Sequence, residues 1–329
     1  MSGTARWLHA RWYEGAGVPW WLAVLEAAFV AVSGMRRWLY RHRVFRSGHP
    51  GVPVVVVGNL VAGGSGKTPL VIALVRILVQ AGRRPGVVSR GYGRRARGLH
   101  VVGPASDADH AGDEPIEIYR ATGVPVAVAR DRLQAARALV EHAGVDCIVA
   151  DDGLQHYRLR RDIEIVSVDG ERGLGNRRCL PAGPLREAPA RLQTVDLVLT
   201  RNGSDEHAWS LQAQGLRRVD DDAPLEPVQD WQGRAVNAVA GLAHPERFFE
   251  TLRALGLDLR QTRALPDHHR FSAADLDFDE PLPVIMTGKD AAKCRDFARS
   301  GVRVLEVRAH LPESVGKWIL ERLEEAATE

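Results

Sequence analysis

The chain has 329 residues, a formal net charge of +3, 45% hydrophobic and 26% charged residues. That length allows two domains with a sizeable core, and the ordinary composition excludes a disordered or fibrous chain. The nearly balanced charge, dispersed basic residues and lack of a recognition motif argue against a nucleic-acid partner, while three widely spaced cysteines (Cys147, Cys179, Cys294) form no metal pattern and fit a reducing compartment.

Residues 1 to 46 form a segment of their own. Five of the eight tryptophans lie there: Trp7, Trp12, Trp20, Trp21 and Trp38. The apolar stretch from Trp20 to Val32 is interrupted by Glu26 and followed by Arg36, Arg37, Arg41, Arg43 and Arg46. It is too short for a spanning helix, which needs about twenty apolar residues. Tryptophans beside arginines suit an amphipathic helix lying in a membrane interface. The plainer alternative is a helix packed on the body.

The next stretch organises the chain. Pro53-Val54-Val55-Val56-Val57-Gly58 reads as a strand buried on both faces, and Leu70, Leu74 and Leu78 give a helical period. Between them, Val61-Ala62-Gly63-Gly64-Ser65-Gly66-Lys67-Thr68 reads as a nucleotide phosphate-binding loop, or P-loop. Glycines let backbone N–H groups approach phosphate, and the helix N-terminus adds positive potential. Lys67 is the expected contact of the β- and γ-phosphates, and the Thr68 hydroxyl a ligand of Mg²⁺. Val61 stands where the usual pattern has glycine.

Gly86 to Ser89 predicts a strand ending in a glycine-rich loop with Arg90 and Tyr92. Loops after parallel strands lie at the carboxyl edge of the sheet, where ligands bind. Gly112-Asp113-Glu114-Pro115 begins a helix, and on sequence alone Asp113 reads as a cap as readily as a catalyst. Val124 to Ala129 predicts a strand, with Arg132 opening the region that leads into a helix. Val145 to Asp151 is an apolar strand ending in carboxylates, the arrangement in which Asp151 or Asp152 holds Mg²⁺. Gln155 and His156 follow. Gly173 to Pro189 has no periodicity and includes Arg186 and Glu187; such a segment inside an enzyme is usually functional or disordered. Asp205 to Gln232 reads as a polar crossing into a second region. That region holds strands at 235–240, 283–287 and 302–307, a loop at Pro266-Asp267-His268-His269, and a final amphipathic helix. The alternation predicts an α/β fold: a P-loop NTPase-like α/β/α sandwich over 47–205, a smaller C-terminal α/β domain over 206–329, and the amphipathic helical segment over 1–46.

Taken together, these blocks resemble the tetraacyldisaccharide 4'-kinase family, the lipid A biosynthesis kinases of Gram-negative bacteria. The carriers are the Trp-rich start, Val57-Gly58-Asn59 before Gly63 to Pro69, Ser89-Arg90-Gly91-Tyr92-Gly93, Gly112-Asp113-Glu114-Pro115, Asp151-Asp152-Gly153-Leu154-Gln155-His156, Leu180-Pro181-Ala182-Gly183-Pro184-Leu185-Arg186-Glu187 and Pro266-Asp267-His268-His269. One departure is Thr287-Gly288-Lys289-Asp290, where the family tends to carry Thr-Glu-Lys-Asp. The resemblance implies ATP-dependent phosphorylation of the 4'-hydroxyl of a tetraacyldisaccharide 1-phosphate to lipid IV-A. It implies a peripheral enzyme on the cytoplasmic face of the inner membrane, expected as a monomer, with substrate between the two domains. It also implies Asp113 as base, paired with His268, and Lys67 on the phosphates. Arg90, Tyr92, Arg132, Gln155, Arg186 and Glu187 are the expected contacts of the lipid disaccharide. A slow P-loop switch ATPase is the competing reading, but it has no need of the Pro-Asp-His-His or Leu-Pro-Ala-Gly-Pro-Leu-Arg-Glu segments.

Overall fold

The valine run forms β1 (Val54–Gly58), buried at every residue, with sheet neighbours on both sides. Branched side chains on both faces of a pleated strand explain why this run settles in the middle of a sheet. The computed structural model describes residues 3–63, 66–219, 224–242, 244–266, 269–294, 297 and 301–328. The chain divides into two compact units, Met1–Ser210 with Ala309–Glu329, and Leu211–Arg308.

In the first unit, α1 (Gly3–Tyr13) and α2 (Trp20–Arg41) precede β1. After it come α3 (Thr68–Gln80), β2 (Pro85–Ser89), β3 (His100–Val101), α4 (Ala108–Ala111), α5 (Asp113–Thr122), β4 (Val126–Val128), α6 (Arg132–Ala143), β5 (Cys147–Asp151), β6 (Ile163–Asp169) and β7 (Leu197–Arg201). The strand order is β7-β6-β1-β5-β2-β4-β3. Pairing is parallel except between β3 and β4. Parallel strands end on the same edge, so Gly58, Ser89, Asp151 and Arg201 all open their loops there.

β8 (Ala208–Arg218) begins beside β7, with Ala208 and Trp209 paired to Thr200 and Arg201. The second unit contains β9 (Ala235–Ala240), α7 (Pro245–Ala254), β10 (Asp258–Ala264), β11 (Val284–Thr287), α8 (Gly288–Ala291) and β12 (Val302–His310), in parallel order β10-β9-β11-β12. Its core gathers Val236, Phe249, Leu252 and Ile285. The chain then returns to the first unit as α9 (Glu313–Thr328), with Gly316 against Ile77 of α3. The units therefore differ from the expected division at 206: the break falls within β8, and α9 belongs with the first unit.

β8 forms where the sequence reads as a polar crossing. Its buried residues, such as Trp209 and Leu216, are few and spaced among polar ones. β10 is also missing from the sequence reading. It is an edge strand with Arg260, Gln261 and Arg263, and charged side chains are normal on an edge.

Helix α2 presents an inner and an outer face. Leu22 is buried and Phe29 packs on the core of the first unit. Glu26, one turn from each, accepts from Arg178 Nε at 2.8 Å and from the Cys179 backbone N–H at 2.7 Å. The carboxylate that interrupts the apolar stretch thus points inward. The other side exposes Trp20 (79%), Val32 (71%), Met35 and Trp38. Trp12 Nε1 donates to Pro181 O at 3.1 Å, and Asn176 Nδ2 to Arg11 O at 3.2 Å, so the N-terminal helices rest on the irregular 173–189 segment. No helix among the described residues is long and apolar enough to cross a membrane.

Candidate active site

Lys67 precedes α3, and its ammonium is already occupied. It donates to Asn59 Oδ1 at 3.2 Å and pairs with Asp152 Oδ1 at 3.2 Å, with the side chain largely buried. Thr68 is the first residue of α3, and Pro69 follows where a missing N–H costs nothing. Val61 makes an isolated bridge with Leu185, and Ala62 N–H donates to Pro184 O at 2.7 Å. The loop is thus braced by the Leu180–Glu187 segment. Gly63 and Gly66 take positive φ of 104° and 62°. Gly64 and Ser65 of the predicted loop, and His268 of the predicted catalytic pair, lie outside the described residues.

Asp151 and Asp152 are adjacent but in opposite electrostatic states. Asp151 ends β5 fully buried, and its Oδ2 accepts from Ser89 Oγ at 3.1 Å. Burial first, and then the Glu114 carboxylate, push its pKa up to about 6, against the opposing pull of Lys67. Asp152 takes a positive φ of 47°. This turn aims its carboxylate at Lys67 and at Arg186 Nη1, 3.2 and 3.0 Å from the two oxygens. Burial acts to raise its pKa, but the two cations prevail and hold it down at about 2. Arg132 lies behind this turn. Its guanidinium donates to Asp152 O at 3.0 Å and is only 6% exposed, so it fixes the loop from inside rather than reaching outward as a substrate contact. The Arg132 N–H donates to His156 Nε2 at 3.2 Å. Burial and the neighbouring Arg132 depress the His156 pKa to about 4, which keeps the ring neutral and accepting near pH 7.

Glu187 also faces inward. It accepts from Gln155 Nε2 at 2.9 Å and Tyr157 OH at 2.8 Å, and pairs with Arg191 at 3.4 Å and Arg37 of α2 at 3.6 Å. Of the residues expected to touch the disaccharide, Arg132 and Glu187 are therefore enclosed, and Gln155 bridges Glu187 and Arg186. Arg90 and Tyr92 are exposed.

Two glycines bring Asp113 to this edge. Gly91 (φ 67°) and Gly112 (φ 87°) meet back to back: a Cβ on Gly91 would fall 2.6 Å from Ala111 O, and one on Gly112 2.9 Å from Tyr92 O. Only Gly at both positions lets the Arg90–Tyr92 loop lie on the start of α5. Gly112 takes the helix-cap position and Asp113 is the first helical residue, with Glu114 next. The cap role left open for Asp113 by the sequence is filled by Gly112. The structure thus brings Lys67, Thr68, Arg90, Tyr92, Asp113, Asp151, Asp152 and Arg186 to one edge of one unit. Asn59, Ser89 and Glu114 complete the geometry. Each stands inside a quoted motif, yet nothing in their spacing assigns them a partner.

A family model described as LpxK: Tetraacyldisaccharide-1-P 4'-kinase matches residues 18–324. The chain belongs to the tetraacyldisaccharide-1-P 4'-kinase family. Its similarity to individual members runs end to end. It is 45% identical to a tetraacyldisaccharide 4'-kinase of Nitrosococcus oceani, covering 99% of this chain and 97% of that one. It is 46% identical to one from Tolumonas auensis, over 95% and 96%. Among solved structures it is similar to the "apo" form of LpxK from Aquifex aeolicus in complex with ATP. The TM-score there is 0.78 at 27% identity, covering 92% of this chain and 98% of that one. The P-loop NTPase-like α/β fold and the family read from the sequence are both borne out.

Proposed function

We infer that this kinase-family member transfers the γ-phosphoryl group of ATP to the 4'-hydroxyl of a tetraacyldisaccharide 1-phosphate, yielding lipid IV-A and ADP. The observation that carries the reading is the convergence of Lys67, Asp151 and the Asp113 end of α5 on one sheet edge in a chain of this family. Phosphoryl transfer asks a protein mainly for positioning and charge neutralisation. Lys67 sits where β- and γ-phosphates would enter, held in advance by Asn59 and Asp152. Bound phosphate would draw the ammonium off Asp152, which keeps its two bonds from Arg186. In this reading Asp113 accepts the proton of the attacking hydroxyl as the new P–O bond forms and the β,γ-bridging oxygen leaves with ADP. Arg90, Tyr92 and Arg186 are the reading's contacts for the sugar and its anionic 1-phosphate.

Asp151 and Thr68 fit Mg²⁺: a buried carboxylate crowded by a second carboxylate, Glu114, lies in a region where a hydroxyl opens α3. Asp152, already neutralised by two cations, fits less well. The ion would supply further neutralisation of phosphate charge. The test is phosphate transfer to the detergent-dispersed acceptor. Wild type should label the lipid, and Asp113→Ala should lower kcat about 10²-fold or more with little change in ATP KM. Hydrolysis of ATP at the same rate without acceptor would overturn the reading in favour of a switch ATPase.

The acceptor carries four acyl chains, so the enzyme has to work at a membrane. The exposed face of α2 with the arginines after it supports peripheral binding to the cytoplasmic face of the inner membrane. Replacing Trp20, Val32 and Trp38 together by Ser should reduce cosedimentation with anionic vesicles by about tenfold or more, since each replacement removes an exposed apolar side chain that a bound membrane would cover. ATP binding should be unchanged. Undiminished cosedimentation of the triple variant would rule this face out.

A further inference from the structure

Strand order decides where a nucleotide can lie on this edge. Taking β1 as the centre, the carboxylates and the Arg90 loop assigned to the reacting end stand on one side. Asp151 ends β5, the neighbour of β1; Ser89 ends β2 and Arg90 follows it; and α5 follows from the loop packed on the Arg90–Tyr92 loop. A triphosphate seated in the loop after β1, with its γ end toward Asp151 and Asp113, directs its α-phosphate the other way, over β6 and β7. β7 ends in Arg201.

That arginine reaches back to the P-loop. A Cβ on Gly66, the residue before Lys67, would lie 3.0 Å from Arg201 Nη1 and 3.9 Å from its Cζ. Gly66 has φ 62° and directs that empty Cβ position at the guanidinium. The arginine also lies near Trp209, whose ring centroid is 5.9 Å from Cζ. Trp209 is itself fixed: it is 1% exposed, pairs in register with Arg201, and donates Nε1 to Ser167 Oγ at 3.3 Å. Gly170 N–H donates to Arg201 O at 2.8 Å, which pins the backbone. A guanidinium that has both an indole and the backbone of an anion-binding loop as neighbours is pre-oriented, so little side-chain freedom is lost when it binds.

We propose that Arg201 is a nucleotide contact, its guanidinium binding α-phosphate oxygens on the side of the P-loop away from the phosphoryl acceptor. The proposal rests on the reading of this loop as an ATP site. Its role is to hold the nucleotide rather than to act on the transferred group. Binding energy spent equally in the ground and transition states changes KM and leaves kcat alone.

The test compares Arg201→Gln, Arg201→Lys and Lys67→Ala with wild type by ADP titration calorimetry and by steady-state kinetics with the lipid acceptor. Arg201→Gln should raise the ADP Kd and the ATP KM about tenfold or more, as expected for loss of a charge-assisted hydrogen bond. Its kcat and acceptor KM should stay within about threefold. Arg201→Lys should recover part of the affinity, because the charge remains although the planar fork is lost. Unchanged ADP affinity in Arg201→Gln, with affinity lost in Lys67→Ala, would overturn the proposal and leave the ATP site standing. Arg201→Lys as weak as Arg201→Gln would show that charge on phosphate is not the interaction. A fall in kcat and nucleotide-free Tm that tracks the affinity loss in both variants would reduce Arg201 to a packing partner of Trp209. Wild-type ADP affinity in Lys67→Ala as well would sink the ATP site itself.

Discussion

Lys67→Ala should lose about 10²-fold or more of kcat while remaining folded. The magnitude follows from removing one preorganised charge aimed at a developing phosphoryl charge. The stability side is less costly than for most buried ion pairs. Truncating one partner of such a pair is damaging when the other charge is left uncompensated. Here Asp152 keeps both bonds from Arg186 and remains partly open to water. The loss should therefore be about 1 kcal/mol, a few degrees in Tm. The variant should also lose most of the thermal shift that ADP gives wild type, because ligand stabilisation follows occupancy. Near wild-type turnover in a folded Lys67→Ala protein would refute the ATP-site assignment. Unfolding of the variant would refute the claim that Arg186 suffices for Asp152.

Asp151→Asn should abolish turnover and make the nucleotide-free protein more stable. Asparagine keeps an oxygen to accept from Ser89 Oγ but removes a charge held in a dry site beside Glu114. The pH dependence has a definite sign. The folded pKa of Asp151, about 6, lies above the ordinary carboxylate value. Folding therefore takes up a proton in that window, and wild-type stability is lost as pH rises from about 4 through 6. The variant should match wild type below pH 4, gain on it between about 4 and 6, and hold a constant lead above. Thermal melts across that range read the effect directly. A gap that widens toward acid, or retained kinase activity, would overturn the assignment. Stability given up for a charge that the reaction needs is the usual trade at an active site.

Much of this geometry is legible in the chain, and the reasons it stops are physical. The valine run, the helix after Lys67 and the strand into Asp151 announce themselves because both faces of each strand are buried. Spacing cannot reveal what happens across the sheet. Asp151 and Asp152 are one residue apart, and only the left-handed turn at Asp152 sends one to Ser89 and the other to Lys67 and Arg186. Arg132 and Glu187 read as polar residues suited to a ligand. Their burial depends on Asp152 O and on the Gln155, Tyr157 and Arg191 groups that surround them. β8 was hidden because its few buried side chains sit among glutamines and arginines. Glu26 looked like an interruption of an apolar helix. It is instead the residue that turns that helix the right way round.

Glu26 has a further consequence if the proposed peripheral binding of α2 holds. It joins α2 to Arg178 and Cys179, and the same segment runs on to Leu185, which bridges to Val61, and to Arg186, which holds Asp152. Arg37, three turns along α2, reaches Glu187 directly. If the outer face of α2 rests on lipid, these links set the altitude of the phosphate loop above the headgroups. The helix is then a gauge block rather than a tether: the sugar hydroxyl is met at a fixed depth, and an acceptor with a longer or shorter headgroup would arrive out of register with Asp113.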